Sequence, residues 1–192
     1  MRAIGRLALA ALLLAPTALI AAPYKPPVET APKGTPQAWI LKKTGVGRWC
    51  AFTSRKAVQA ALDSGDYDEN DRAALWIARG RLTAIMVSND SEDAMADDVY
   101  YLDAHRKIMR MVRTGHYIEN PMFSLTFAPD WTGRLVMKAG SREVVRLMEQ
   151  AGYEPYITDW PRFAGLGRMP FRSLIQFGPV VTVKQGCGWA AP

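Results

Sequence analysis

The chain has 192 residues, with 24 Lys and Arg against 18 Asp and Glu, two His and two Cys. That length gives one domain with or without a tail and leaves no room for a multidomain enzyme. A composition 49% hydrophobic and 22% charged excludes wholesale disorder, and two cysteines alone cannot build a four-thiolate zinc site or an iron–sulfur site.

The N-terminus reads Met1-Arg2-Ala3-Ile4-Gly5-Arg6, then an uncharged run over residues 7–22. Arg2 and Arg6 make a positive start, residues 7–20 an apolar stretch, and Ala21-Ala22 a small-residue cleavage site. This order predicts a signal peptide over residues 1–22. The run is short for a spanning helix, which needs roughly 20 residues, and Pro16 interrupts it. No later segment is apolar enough to span a bilayer, so the mature chain is expected to be periplasmic or secreted, without a transmembrane span. Two of the arginines leave with the signal peptide, and the remaining basic residues are scattered rather than gathered on one stripe. Nucleic acid is therefore not an expected partner.

Residues 23–37 hold five prolines among Lys, Glu, Thr and Gly and read as an extended tether. The folded domain is expected over residues 38–192. Residues 38–42 and 48–53 predict two strands joined by Thr44-Gly45-Val46-Gly47, the second rich in aromatic residues. Residues 54–62 predict a short helix: Ser54 can cap it, Ala57, Val58, Ala61 and Leu62 share a face, and Gly65 follows. Residues 73–79 and 81–88 are apolar strands around Gly80, either a tight hairpin or one long strand with a bulge. Residues 98–103 predict a strand, residues 106–113 fit neither period cleanly, and Thr114-Gly115 reads as a stop. Residues 122–128 and 134–138 predict strands. Residues 141–151 make the most regular helical pattern, with Val144, Leu147, Met148 and Ala151 on one face and Gly152 beyond. A possible strand over 153–157, a loop over 159–170 and strands over 171–177 and 180–184 complete the series. Many short strands with one or two short helices predict a mainly β fold, an antiparallel β-sandwich or open barrel.

In an exported chain two thiols that lie close pair, so Cys50 and Cys187 are expected to form a disulfide. The alternative, a nucleophilic Cys50, conflicts with its apolar setting in Trp49-Cys50-Ala51-Phe52. The order of elements resembles the exported β-sandwich proteins of the invasion-associated locus B type. An early strand carrying Trp49 and Cys50 precedes a run of hairpins. Then come the Tyr101-Leu102-Asp103 strand end, the strand-plus-helix unit over residues 134–151, and Phe171-Arg172-Ser173-Leu174-Ile175-Gln176-Phe177. The chain differs in lacking that family's inner cysteine pair. The resemblance implies a small periplasmic domain without an enzymatic centre.

Candidate chemistry is sparse. Asp103-x-His105 and His116-x-x-Glu119 hold both histidines and combine imidazole with carboxylate as a zinc site would, but at no recognised spacing. Asp63, Asp66, Asp68, Glu69 and Asp71 form one expected acidic loop, and residues 90–98 a second; both read as solvated hairpin ends. Asp66-x-Asp68-x-Asn70 copies half a calcium loop, but Asp71 stands where the glycine belongs. Motifs for serine hydrolases, zinc proteases and phosphate loops are absent from the sequence, and no cofactor is expected. Arg106, Lys107, Arg110 and Arg113 surround Ile108, Met109, Met111 and Val112. With neither face apolar, this segment is expected as an edge strand or surface helix presenting a basic and apolar binding patch. The functional expectation is an exported, non-catalytic protein that binds an envelope protein or the anionic envelope surface. The alternative is a small periplasmic hydrolase or metal-dependent enzyme using His105 or His116.

Overall fold

A computed structural model describes residues 32–91, 94–117, 123–140, 163 and 165–189. The expected signal peptide, most of the tether, the helix over 141–151 and the strand over 153–157 lie outside these residues.

The fold is mainly β and antiparallel, and its main sheet is open rather than closed into a barrel. The described strands are β1 (Ala38–Lys43), β2 (Arg48–Phe52), β3 (Tyr67–Ala78), β4 (Arg81–Ser91), β5 (Ala94–Leu102), β6 (Ile108–Tyr117), β7 (Phe123–Pro129), β8 (Leu135–Gly140), β9 (Ile175–Gln176), β10 (Thr182–Val183) and β11 (Gly186–Trp189). Nine of them form one sheet in the order β11-β2-β1-β3-β4-β5-β6-β7-β8, and β9 and β10 pair separately. From β3 to β8 each strand pairs with its predecessor, so this part is a meander. The step from β2 to β3 passes over β1 and carries the helix α1 (Arg55–Asp63). Ser54 caps α1 as expected, its hydroxyl accepting from the Ala57 N–H at 3.2 Å. Val58 and Ala61 then pack on Leu41, with Trp39, Phe52, Leu62 and Tyr67 around them.

The alternation of β1 to β8 gives the sheet two faces. One holds the main core: Ile40, Trp49, Leu75, Ile85, Tyr100, Met111, Leu125 and Phe127 are all buried. The C-terminal segment covers it with Met169, Phe171, Leu174, Ile175 and Val181, and Phe171 meets Trp49 edge-on at 5.4 Å. The small β9–β10 sheet lies within this cover, which makes the architecture sandwich-like. The strand expected over 171–177 is shortened, because Arg172–Leu174 turn as a 3-10 helix before β9 begins. The other face carries Ala74, Trp76, Ala84 and Val99, flanked by Trp39, Met86 and Tyr101.

Cys187 lies opposite Cys50 across the β11–β2 pair, and the two form the expected disulfide, with Cα atoms 4.0 Å apart. The strand holding Cys187 was not apparent in the sequence, because Gly-Cys-Gly-Trp carries little β signal.

Three expectations are corrected. β6 is an interior strand between β5 and β7, neither an edge nor a helix, and it continues through Thr114-Gly115 to Tyr117. The first acidic loop is partly strand: β3 begins at Tyr67, and only residues 69–71 bulge out between the Lys42–Asp68 and Leu41–Arg72 pairs. Lys42 there forms a salt bridge with Asp71. Residues 90–91 of the second acidic loop belong to β4 and residues 94–98 to β5, where Asp98 is buried, 4% exposed, instead of solvated.

Candidate functional site

The strand register gathers three hairpin turns at one end of the sheet: β3–β4, β5–β6 and β7–β8. The chain also enters β1 at this end, where the Gln37 N–H donates to the Leu75 carbonyl at 2.9 Å.

At the β3–β4 turn Ala78 pairs with Arg81, so Arg79 and Gly80 form a two-residue loop. Both have positive φ, 51° and 73°, as a type I′ turn requires. The hairpin reading of Gly80 therefore holds over the single-strand reading. Val181 donates its N–H to the Gly80 carbonyl at 2.7 Å, seating the segment after β9 against this turn.

The other two turns share one construction. In the β5–β6 turn Asp103 donates its N–H to the Lys107 carbonyl, Arg106 donates to the Asp103 carbonyl, and Arg106 has φ 67°. In the β7–β8 turn Asp130 donates to the Arg134 carbonyl, Gly133 donates to the Asp130 carbonyl, and Gly133 has φ 84°. Each is a type I turn followed by a left-handed residue, the three-residue hairpin loop. Each aspartate also closes its own loop: Asp103 accepts from the N–H groups of His105 and Lys107, both at 2.8 Å. Asp130 Oδ1 accepts from Thr132 N–H at 2.8 Å, the Thr132 hydroxyl at 2.6 Å and Arg134 N–H at 3.0 Å. The Thr132 hydroxyl is the largest cause holding the Asp130 carboxyl below its usual range; desolvation opposes it, and the backbone N–H groups of Thr132 and Arg134 and the Arg134 charge add to the lowering.

These loops are internally hydrogen-bonded and basic. Arg79, Arg81, Arg106, Lys107 and Arg134 are all exposed, against two carboxylates that are tied into their turns. Large exposed apolar side chains stand among them: Trp131 at the tip of the β7–β8 turn is 96% exposed, Met109 59% and Val180 58%. Between the β3–β4 and β5–β6 turns and residues 178–181 lies a small cleft of about 140 Å³, bordered by Arg81, Asp103 and Arg106. The Arg106 guanidinium lies 5.0 Å from the Phe177 ring centroid, and that of Arg172 lies 4.3 Å from it.

The four basic residues expected to form one patch are divided. Arg106 and Lys107 belong to the turn. Arg110 is half-buried along β6, its guanidinium 4.3 Å from the centre of the Tyr101 ring. Arg113 is 3% exposed on the core face and binds Asp98 through two 2.8 Å hydrogen bonds, Nε to Oδ1 and Nη2 to Oδ2. Nor are the histidines brought together. His105 is exposed in the β5–β6 turn and His116 lies near the far end of β6, eight residues beyond Ile108, roughly 26 Å along a strand. Glu119 is outside the described residues. Among the described residues no group of three or more His, Cys, Asp and Glu is placed to hold a metal ion.

Trp131, Arg134, Arg79 and Arg81 went unnoticed in the sequence. The signal that would have found Trp131 and Arg134 is the recurrence of Asp-x-x-(Gly/Arg)-(Lys/Arg) in Asp103–Lys107 and Asp130–Arg134, the same turn presented twice; for Arg79 and Arg81 it is the Arg-Gly-Arg of the β3–β4 hairpin. A second cleft, about 290 Å³, lies beside the disulfide and is bordered by Phe52, Ala57, Tyr67 and Gln185.

Comparison of the chain with protein-family models, curated proteins and solved structures finds no match. Among the described residues no helix is long and apolar enough to cross a membrane.

Proposed function

We propose that this is an exported, non-catalytic protein that binds the cell envelope through the turn-bearing end of its sheet. The observation that carries the reading is the joint exposure of Trp131, Met109 and Val180 with five cations on hairpin loops at that end. An exposed aromatic on a hydrogen-bonded turn gives up little conformational freedom on binding, and a surrounding surplus of positive charge speeds encounter with an acidic surface. The signal-peptide pattern expected in residues 1–22 and the Cys50–Cys187 disulfide support an extracytoplasmic setting.

The test is fractionation of cells that produce the full chain, with mass spectrometry of the N-terminus. The protein is expected in the envelope sediment at low salt, beginning at residue 22 or 23. Replacing Arg79, Arg81, Arg106, Lys107 and Arg134 by Gln is expected to move it into the soluble extract. An intact Met1 on most of the protein, or sedimentation that ignores these substitutions, would overturn the proposal.

A further inference from the structure

We propose that what this end of the sheet recognises is an anionic phospholipid bilayer, with Trp131 entering the interface and the five cations lying over the head groups. The inference rests on the envelope-binding reading and names the ligand. Three observations support the assignment, the first of them favouring a bilayer over an acidic protein.

The first is the form of the surface. A protein interface buries a continuous patch with an apolar centre and a polar rim. Here Trp131, Met109 and Val180 come from three separate segments, with basic side chains in the turns between them. A bilayer accepts that pattern: amphipathic aromatic rings settle at head-group depth, and each Lys or Arg near an anionic surface adds its own increment of attraction.

The second is the construction of the loops. Arg79 and Arg106 occupy left-handed backbone positions, at φ 51° and 67°, where glycine or asparagine is favoured. These are the non-glycine residues with positive φ among those described, and both place a guanidinium at the same end of the molecule.

The third is polarity. The opposite end mixes exposed Asp63 and Asp66 with Lys43 and exposed Arg48 around the β1–β2 turn, the Thr44 N–H donating to the Asp66 carbonyl at 2.9 Å. An anionic plane therefore attracts the end with five exposed cations more strongly than the mixed end, which orients the molecule with its turns toward the membrane. The Pro-rich segment joins the fold at the turn-bearing end, close to that plane.

The experiment uses the processed chain with vesicles of phosphatidylcholine alone or mixed with phosphatidylglycerol, at low and high salt. Binding is expected to the mixed vesicles only, to fall at high salt, and to weaken about fivefold for each cation replaced by Gln among the five. Lys43→Gln, at the opposite end of the sheet, should leave it unchanged. Brominated phosphatidylglycerol is expected to quench tryptophan fluorescence in the unsubstituted protein and much less in Trp131→Phe. Circular dichroism confirms that each variant is folded. Absence of binding to the mixed vesicles, or equal quenching with and without Trp131, would overturn the lipid assignment. If the protein then still sediments with whole envelopes in the manner set out above, the envelope-binding reading stands and the ligand is a protein; if it sediments with neither, both readings fall.

Discussion

At the scale of single residues, the pair Asp98 and Arg113 explains why a strand rich in arginine lies inside a sheet. The two face each other across β5 and β6 on the core face, and the bidentate contact satisfies charges that water cannot reach. Such a pair adds little net stability compared with apolar residues, but removing one partner leaves a buried charge uncompensated. Arg113→Gln is therefore expected to destabilise the fold by about 3–5 kcal/mol in chemical denaturation; a loss under about 1 kcal/mol would mean that the pair is open to water. Asp130 shows the opposite case, a carboxylate at the surface that organises a turn. Its folded titration lies below the usual carboxyl range, so its contribution to stability is present above that range and is lost as the pH falls through the lowered value. Thr132→Ala removes the strongest cause. The Asp130 titration, followed by NMR, should move up toward the ordinary range in that variant; an unchanged titration would assign the shift to the backbone N–H groups alone.

At the scale of elements, the strands that alternate cleanly were legible in the sequence. The β1–β2 hairpin, the capped helix α1 and the β3–β4 hairpin stand near their expected places. The reading failed where a tertiary partner overrides local pattern. β6 reads as too basic to be interior because neither of its faces is apolar, and a linear reading does not show that Asp98 neutralises Arg113 across the β5–β6 pair. β11 carries no strand signal of its own, because pairing with β2 and the disulfide, not propensity, hold it in the sheet. The basic segment was sensed, but only Arg106 and Lys107 belong to the candidate surface; the turns bringing Arg79, Arg81, Trp131 and Arg134 beside them are set by register, which a linear reading does not provide. Two predictions belong here. Arg79→Asn places a favoured residue in the type I′ turn and should raise stability by roughly 0.5–1 kcal/mol while weakening envelope binding; a stability loss would show that the Arg79 side chain is held by contacts in the fold. Cys50→Ser with Cys187→Ser opens a link spanning 137 residues and frees the edge strand β11. The expected cost is about 2–5 kcal/mol in thermal or chemical unfolding, and a change below about 1 kcal/mol would mean that β11 pairs as firmly without the bond.

At the scale of the whole molecule, a meander of antiparallel strands sends alternate turns to opposite ends, and here the two ends differ in chemistry. One carries arginines, a lysine and a tryptophan on hydrogen-bonded loops; the other mixes the carboxylates that follow α1 with Lys43 and Arg48. Among the described residues the C-terminal segment covers the core face and α1 packs on the other, while the turn-bearing end combines five exposed cations with Trp131, the most exposed of the large apolar side chains. The central claim is that this end makes the contact with the envelope. Amide hydrogen exchange of the protein free and bound to isolated envelopes tests it most directly. The account predicts slowed exchange on binding at residues 79–81, 104–107 and 131–134, with residues 44–47 and 64–66 unaffected. Protection at 44–47 and 64–66 instead, or no difference between the two ends, would contradict it.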